Sequence, residues 1–549
     1  MPDVGAPIDV CIVGAGPAGL AVAEALAGSR HRICVLEAGP ADGSPQETAG
    51  VELLAENPYP GAAVRNSRAA MVGGTAGLWS FRLAGSGDDA DAAMAGCRYL
   101  PLDPLDLTAR PDIGTPGWPL TRAELDPWYE AAQRLCQLGP FDYDVANWGE
   151  PGGCRPLPLD DTGVVSSMFQ FGPATAFTRD ARERLEVAPN VELRTRTQAS
   201  WLELDAGGGH VVGVRIVDAE GAEEVLPCAA VVLAGGTVEN VRLMLDTGRH
   251  HRTTPGNRYG LVGRYFMEHP LVRGGLLVTP PAAGLIRRLD LYATRRTRAT
   301  WVSAKLTLTE QVLRDEGLAG CSALLIPRHR SFGGRGAQAL ARLRSPSGRR
   351  LGKGAQAKLA MTVLTDARSV IGAVRAVRGT QPNLDRAMWA GPNADLDLSV
   401  FEVVHQTEQT PQADNRLELT ATRDDYGRSR MAMAWRWSEA DQDRVRRARD
   451  RFADAFETAG LGTFVQRDWD NGRPRMIGGT HHHLGGLRMA TTPEEGVVDA
   501  DCQVHGTDNL FVAGSAVFPS GGYANPTLTV VALALRLGTR LRDTPLQRA

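Results

Sequence analysis

Three adjacent histidines, His481, His482 and His483, stand between glycine-rich turns in GGTHHHLGGLRMA (478–490), ahead of an Asn525-Pro526-Thr527 step that opens an apolar helix. Neighbouring side chains diverge, so the triplet is a poor single metal site, and no Cys/His spacing completes a zinc set. A neutral imidazole can accept a proton near pH 7, and the position of the triplet points to one catalytic imidazole within it. Asn525 has two readings. It caps the helix that follows, with Pro526 at the first helical position, or its amide holds a reacting oxygen.

A second set of residues binds rather than reacts. Gly14, Gly16 and Gly19 form G-x-G-x-x-G around Pro17 and Ala18, after an apolar run, Val10 to Val13. A second apolar run, Ile33 to Leu36, ends on Glu37-Ala38, with Glu37 eighteen residues after Gly19. The spacing gives a tight turn, a close backbone approach to a pyrophosphate, and close packing of helix on strand. The helix start adds free N–H groups and positive dipole, and Glu37 can accept from a ribose diol. This predicts a dinucleotide site, without separating FAD from NAD. Gly73, Gly74 and Gly77 in RAAMVGGTAGLW (68–79), with Thr75, Leu78 and Trp79, clear space for something flat or phosphorylated. Ala234-Gly235 follows a third apolar run, and Gly514-Ser515 a fourth.

These residues need a scaffold, and the chain is long enough for two domains. It has 549 residues, 43% hydrophobic and 22% charged, with a net charge of −3. That balance gives no reason to expect nucleic acid or an anionic membrane as partner. The first apolar run is the nucleotide strand itself, so no secretion signal is expected, and no apolar stretch is long enough to span a bilayer. The eight cysteines have no C-x-x-C spacing, which places the protein in the reducing cytoplasm. Residues 101–119, rich in Pro and Asp, read as an excursion from the first sheet, and Thr121 with Glu124 as a capping box for a helix to Cys136. Strands are expected from Val191, with a hairpin turn at Asp218–Gly221 and a strand–glycine–helix unit at 229–245. A second sheet is expected to include Val272–Val278 and Leu396–Val404. Between Pro327 and Arg378 lie twelve Arg or Lys and one acid, Asp366, read as a solvated helix face or flap. Ser438–Phe456 reads as a charged amphipathic helix with a serine cap.

Taken together, these motifs resemble the glucose-methanol-choline oxidoreductase family over nearly the whole chain. Gly14, Gly16, Gly19 and Glu37 match its FAD fingerprint, VGGTAGLW (72–79) its isoalloxazine loop, and VVLAGGTVEN (231–240) its second adenine-side strand. GRYFMEHP (263–270) and HHLGGLRM (482–489) are also similar. ANPTLT (524–529) is closest to the pyranose-oxidase branch, and GRYFMEHP to bacterial enzymes that oxidise sugars and aminoglycosides. The resemblance implies His482 as catalytic base, His483 if the turn shifts by one, and Asn525 as its partner. It also implies non-covalent FAD, because Leu78 stands where a flavin-linking His would be. Asp is frequent in the family where this chain has Gly514 or Ser515.

The expected fold is α/β. A discontinuous Rossmann-like FAD domain (1–90, 186–270, 476–549) is joined to an α+β substrate domain on a mainly antiparallel sheet (91–185, 271–475). The expected reaction is oxidation of a CH–OH group of a sugar, glycoside or aminoglycoside, by hydride transfer to flavin N5, with oxygen or another acceptor. The alternatives are a flavin enzyme for a non-sugar alcohol or an amine, an NAD(P)H-using flavin monooxygenase or reductase, and a non-catalytic electron-transfer or binding module.

Overall fold

The computed structural model describes residues 7–546 except 47, 49, 55–58, 60–66, 79, 83–92, 96–97, 149–154, 281–288, 298–299, 329, 345–348, 379–398, 425–426, 467–468, 470–473 and 475. The apolar runs read from the sequence become the central parallel strands of the first sheet. Ile8–Val13 pairs with Ile33–Leu36 on one side and with Glu223–Leu233 on the other. Val191–Arg194 extends the sheet beyond Ile33–Leu36, and Leu510–Val512 lies beside Glu223–Leu233. Both faces are covered, so these runs carry no polar alternation. The antiparallel strands Gln198–Leu204 and Val211–Val217 complete the sheet through the Asp218–Gly221 turn.

Two glycines set how closely the elements pack. Gly14 has φ +110°, and a Cβ there would lie 2.7 Å from the Ala234 carbonyl oxygen. A Cβ on Gly19 would meet the Gly14 carbonyl oxygen at 1.9 Å. Any larger residue would force the helix Pro17–Leu26 off its strand.

The second sheet is antiparallel, in the order 295–297, 300–308, 321–328, 400–407, 270–278, 463–466. Val164–Phe171 pairs with Thr300–Leu308, and Met476–Gly479 with Pro270–Val278. The strand expected from Leu396 is described from Val400 to Thr407; its first residues lie outside the described residues. A separate apolar core lies under this sheet, built from residues such as Met168, Leu306, Phe401 and Phe452. Sheet membership departs from the division given above where Met476–Gly479 joins the second sheet and Val51–Leu53 pairs with Ser429–Ala434; the two-part division is kept as a proposal.

Several contacts cross between the parts. The helix Arg122–Leu135, capped by Thr121 and Glu124 as expected, reaches the C-terminal helix Thr527–Asp543 through a 3.0 Å Tyr129–Thr529 hydroxyl contact. The 101–119 excursion also returns to the C-terminal loop. Trp118 Nε1 donates to Ser520 Oγ at 3.0 Å, and Ser520 Oγ donates to the Asp106 carbonyl at 2.9 Å.

Among the described residues, the basic tract includes the α-helices Arg335–Arg344, Lys353–Thr365 and Ala367–Arg378. Its lone acid has a structural task, since Asp366 Oδ2 accepts from Gly336 N and Ser369 Oγ. The helix Glu439–Thr458 starts from a Ser438 cap. The capping alternative for Asn525 is corrected. Pro526, not Asn525, sits at the N-cap position, and no side chain caps the last helix. The Asn525 amide is turned away toward other partners.

Asn509 ties the C-terminal strand into the first sheet. Its Nδ2 donates to the carbonyls of Val211 and Ala229, and its Oδ1 accepts from Val211 N. Asn509→Ala strips three buried backbone groups of their partners, at about 1–3 kcal/mol for each one left unsatisfied. A thermal melt should show a clear fall in Tm. An unchanged Tm would mean that this clamp contributes nothing to stability.

Candidate active site

The carboxyl ends of the parallel strands open on one cleft of about 950 Å³. The turn after the first strand supplies Gly14, Gly16, Pro17 and Ala18 to its wall, and the second strand supplies Leu36, Glu37 and Ala38. Ala234 and Gly235, Gly514 and Ser515, then Asn525, Pro526 and Thr527 continue it, with Gly74, Thr75 and Leu78 opposite. A Cβ on Gly16 would meet nothing within 4 Å, so this turn presents bare backbone to the open cleft. The helix beginning at Pro17 adds its N-terminal N–H groups there. Glu37 accepts from Ala15 N at 3.0 Å and Gly39 N at 2.9 Å. Burial raises its pKa against the opposing pull of these amides.

Other sequence-predicted residues pack rather than line. Gly19 meets Gly14, whereas Gly73 and Gly77 lie against Thr178 and, for Gly77, Met71; none of the three borders the cleft. Trp79 lies outside the described residues. Ser515 Oγ does not point into the cleft unpaired, because it donates to the His483 carbonyl at 2.7 Å.

At the far end, a buried carboxylate arranges the histidines. Glu268 Oε1 accepts from Thr480 Oγ1 at 2.7 Å, and from the backbone N–H groups of His269 and His482 at 2.9 Å each. Its Oε2 accepts from the Tyr59 hydroxyl. His481 takes φ +64°, which turns the chain so that the next two side chains part company. His483 also borders the cleft, but its ring turns to Tyr59 and Phe266, with Nε2 3.2 Å from the Tyr59 hydroxyl. His482 points into the cleft. Its Nε2 is 3.1 Å from Asn525 Nδ2, and its Nδ1 is 2.9 Å from His269 Nδ1. Asn525 Oδ1 accepts from Gln406 Nε2 at 3.2 Å, and the same Nε2 donates to the Tyr523 carbonyl at 2.8 Å.

Desolvation, followed by the neighbouring His269, pulls the His482 pKa well below that of free imidazole. Burial likewise lowers His269 and His483 to about 3. All three rings are therefore neutral around pH 7, and a neutral imidazole can accept a proton. Among the described residues, no group of three His, Cys, Asp or Glu is arranged to hold a metal.

Above the histidine sits one face of the second sheet. Leu271, Leu324, Ile326 and Val404 form an apolar belt in the cleft wall, followed by Arg273, Arg328 and Glu402. Arg328 Nε donates to Glu402 at 2.9 Å, and Arg273 pairs with it at 3.1 Å.

Known proteins resemble parts of this chain and its fold. A family model described as GMC oxidoreductase matches residues 411–534, and one for an NAD(P)-binding Rossmann-like domain matches residues 12–43. Residues 411–534 are a GMC oxidoreductase C-terminal domain. The relatives include 6'''-hydroxyparomomycin C oxidase of Streptomyces lividus, 32% identical over 23% of this chain and 22% of that protein. C-glycoside 3-oxidase of Arthrobacter globiformis is 35% identical over 30% of this chain and 33% of that protein. The matched stretches thus span a third or less of these relatives. A solved formate oxidase has the same fold over 98% of both chains, with a TM-score of 0.53 at 15% identity.

The cofactor of this GMC architecture is FAD. The cleft fits it, with the bare Gly16 turn and two helix starts for a pyrophosphate, Glu37 at the nucleoside end, and His482 with Asn525 at the other. The site residues that sequence reasoning missed are Tyr59, Glu268, His269 and Gln406. GRYFMEHP was the available signal for Glu268 and His269, but nothing assigned them a role.

Gly16→Val would place a branched side chain in the open cradle. Folded protein with little or no flavin is the expected product. Full FAD occupancy, read from the 450 nm absorbance per chain on the order of that of the parent, would show that this turn does not carry the cofactor.

Proposed function

We propose that this protein is an FAD-dependent alcohol oxidase or dehydrogenase acting on a secondary hydroxyl of a sugar or glycoside, with oxygen as one acceptor. The observation that carries the reading is the His482–Asn525 pair at the end of the nucleotide cleft. When bound, FAD accepts the hydride equivalent from the carbinol carbon. The chain does the rest. A substrate hydroxyl that displaces the 3.1 Å contact between His482 Nε2 and Asn525 Nδ2 donates to the imidazole lone pair and accepts from the amide. His482 takes the proton as the C–H bond breaks, and Asn525 holds the oxygen while negative charge develops on it. The N-terminus of the Thr527–Asp543 helix faces the same region and favours negative charge there. Leu78 offers only hydrocarbon where a flavin link would need a nucleophile, so FAD is held without a covalent bond. The described cysteines are buried thiols, in keeping with work in the cytoplasm.

His482→Ala should slow anaerobic flavin reduction by about 10²- to 10⁴-fold with FAD still bound. Asn525→Ala should slow it less. His483→Ala should reduce at a rate near that of the parent if its FAD remains in place. Stopped-flow bleaching of the flavin measures all three, and normal reduction in His482→Ala with an identified substrate would remove the proposed base.

The cleft wall narrows the substrate. Glu402 lies four residues along its strand from Gln406, about 13 Å away, with the apolar belt between. Arg273 and Arg328 line that far end and present guanidinium donors to an acidic or hydrogen-bond-accepting group. This favours a glycoside whose aglycone is apolar near the sugar and acidic or hydrogen-bond-accepting at its tip. It disfavours a polycationic aminoglycoside. Aryl glucosides carrying a para carboxylate should therefore show higher kcat/KM than those carrying a para aminomethyl group, and added salt should shrink the gap. Preference for the cationic series would overturn this choice.

A further inference from the structure

The hydrogen-bond partners around His482 allow only one consistent placement of protons. The Tyr523 carbonyl can only accept, so the group of Gln406 that faces it at 2.8 Å must be Nε2. That N–H donor also faces Asn525 at 3.2 Å, which fixes the Asn525 oxygen on the Gln406 side. Asn525 then turns its Nδ2 donor to His482 Nε2, which must present a lone pair. The imidazole proton is left on Nδ1, where it is donated to His269 Nδ1 at 2.9 Å. His269 in turn carries its own proton on Nε2. That nitrogen faces the carbonyls of Gly521 and Gly522 without reaching hydrogen-bond geometry to either. A lone pair there would confront carbonyl lone pairs in a site closed to water, so the far end requires the same arrangement as the near end. The ring packs directly against Gly521, where an added Cβ would lie 2.9 Å from His269 Nε2.

We infer that Gln406 and His269 are positioning residues that hold His482 in its Nδ1–H tautomer, leaving Nε2 as the basic nitrogen in the cleft. This rests on the assignment of His482 as the base. It gives the two residues distinct tasks. Gln406 prevents the Asn525 amide from flipping, which would present its oxygen to the base and demand a proton on Nε2. His269 accepts from Nδ1–H before the reaction and continues to do so once Nε2 has taken the hydroxyl proton, so the imidazolium is stabilised by a neutral acceptor. Nothing is transferred along the chain: the substrate proton stops at His482 Nε2. Glu268 holds the two rings in mutual reach through their own backbone N–H groups.

The test begins with the intact FAD-loaded enzyme, labelled with ¹⁵N in histidine. Long-range ¹H–¹⁵N spectra, assigned by the peaks lost in His482→Gln, should show a protonated, pyrrole-type Nδ1 and a bare, pyridine-type Nε2 for His482. The opposite tautomer, or a mixture of the two, would overturn the inference without any variant being needed. His269→Leu removes the acceptor, and should slow anaerobic flavin reduction by about 10- to 100-fold at unchanged FAD content. His269→Asn places an amide oxygen near the lost Nδ1 and should recover most of that rate. A merely space-filling role predicts the reverse order, since leucine fills the site better than asparagine. If His482→Ala is slow while His269→Leu matches the parent, the base stands and the positioning chain falls. If His482→Ala itself matches the parent, the reading on which the chain rests has failed.

Discussion

The constraint on which this structure depends is the close approach of two strand ends, made by glycine. Ile8–Val13 and Glu223–Leu233 run parallel and in register up to Val13 and Leu233. Immediately beyond, Gly14 lies against the backbone of Ala234 and Gly235 at distances no side chain could occupy. Both chains must then turn into helices at the same level, so two turns open on one cleft. The Leu510–Val512 strand joins the same sheet beside Glu223–Leu233, bringing Gly514 and Ser515 to that level. One packing requirement thus gathers segments from positions 14, 234 and 514 into a single wall.

That gathering explains which parts were legible in the sequence. The glycine turns, the buried strands and the acid at position 37 are local patterns, since each feature lies within about twenty residues of the next. The caps at Thr121 and Ser438 were readable for the same reason. Asn525 was not, because a cap and a ligand-facing amide use the same residue type before a helix. The choice was decided by Gln406, which lies on another sheet. Tyr59 and His269 escaped for a similar reason. Each touches its partner across more than two hundred residues of chain, and nothing in the composition around them marks the contact.

Glu268 shows how much of the site is backbone engineering. One carboxylate collects the N–H groups of His269 and His482 together with the hydroxyls of Thr480 and Tyr59. The left-handed turn at His481 makes this possible, by sending His482 toward the cleft and His483 toward Tyr59. Three histidines in a row thereby become one ring that meets Asn525, one buried ring that meets Tyr59, and one that makes the turn. The sequence pattern suggested a single catalytic imidazole, but the means of separating the three is a dihedral angle invisible in a string of letters.

The placement of charge in the cleft follows from the same logic. Two clusters of its permanent charges are ion-paired, while Arg98, also in the cleft wall, opposes protonation of His482. Glu239, on the nucleotide side, meets Arg68 at 2.6 Å; burial opposes its charge, but Arg242, Arg68 and Arg428 hold its pKa down to about 2. Glu402, on the opposite sheet, meets Arg273 and Arg328. Between these clusters His482, Asn525, Gln406 and His269 are neutral, and each is already supplied with a neighbour. A site of this kind gives a resting alcohol little to bind strongly. It responds when a proton moves to His482 Nε2 and negative charge grows on the oxygen beside Asn525, because the dipoles that meet those changes are already oriented. Low local polarity then strengthens each of those contacts. Fixing the tautomer of His482 is therefore part of the electrostatics, since an imidazole presenting N–H to the substrate would oppose the proton transfer that the rest of the cleft is arranged to favour.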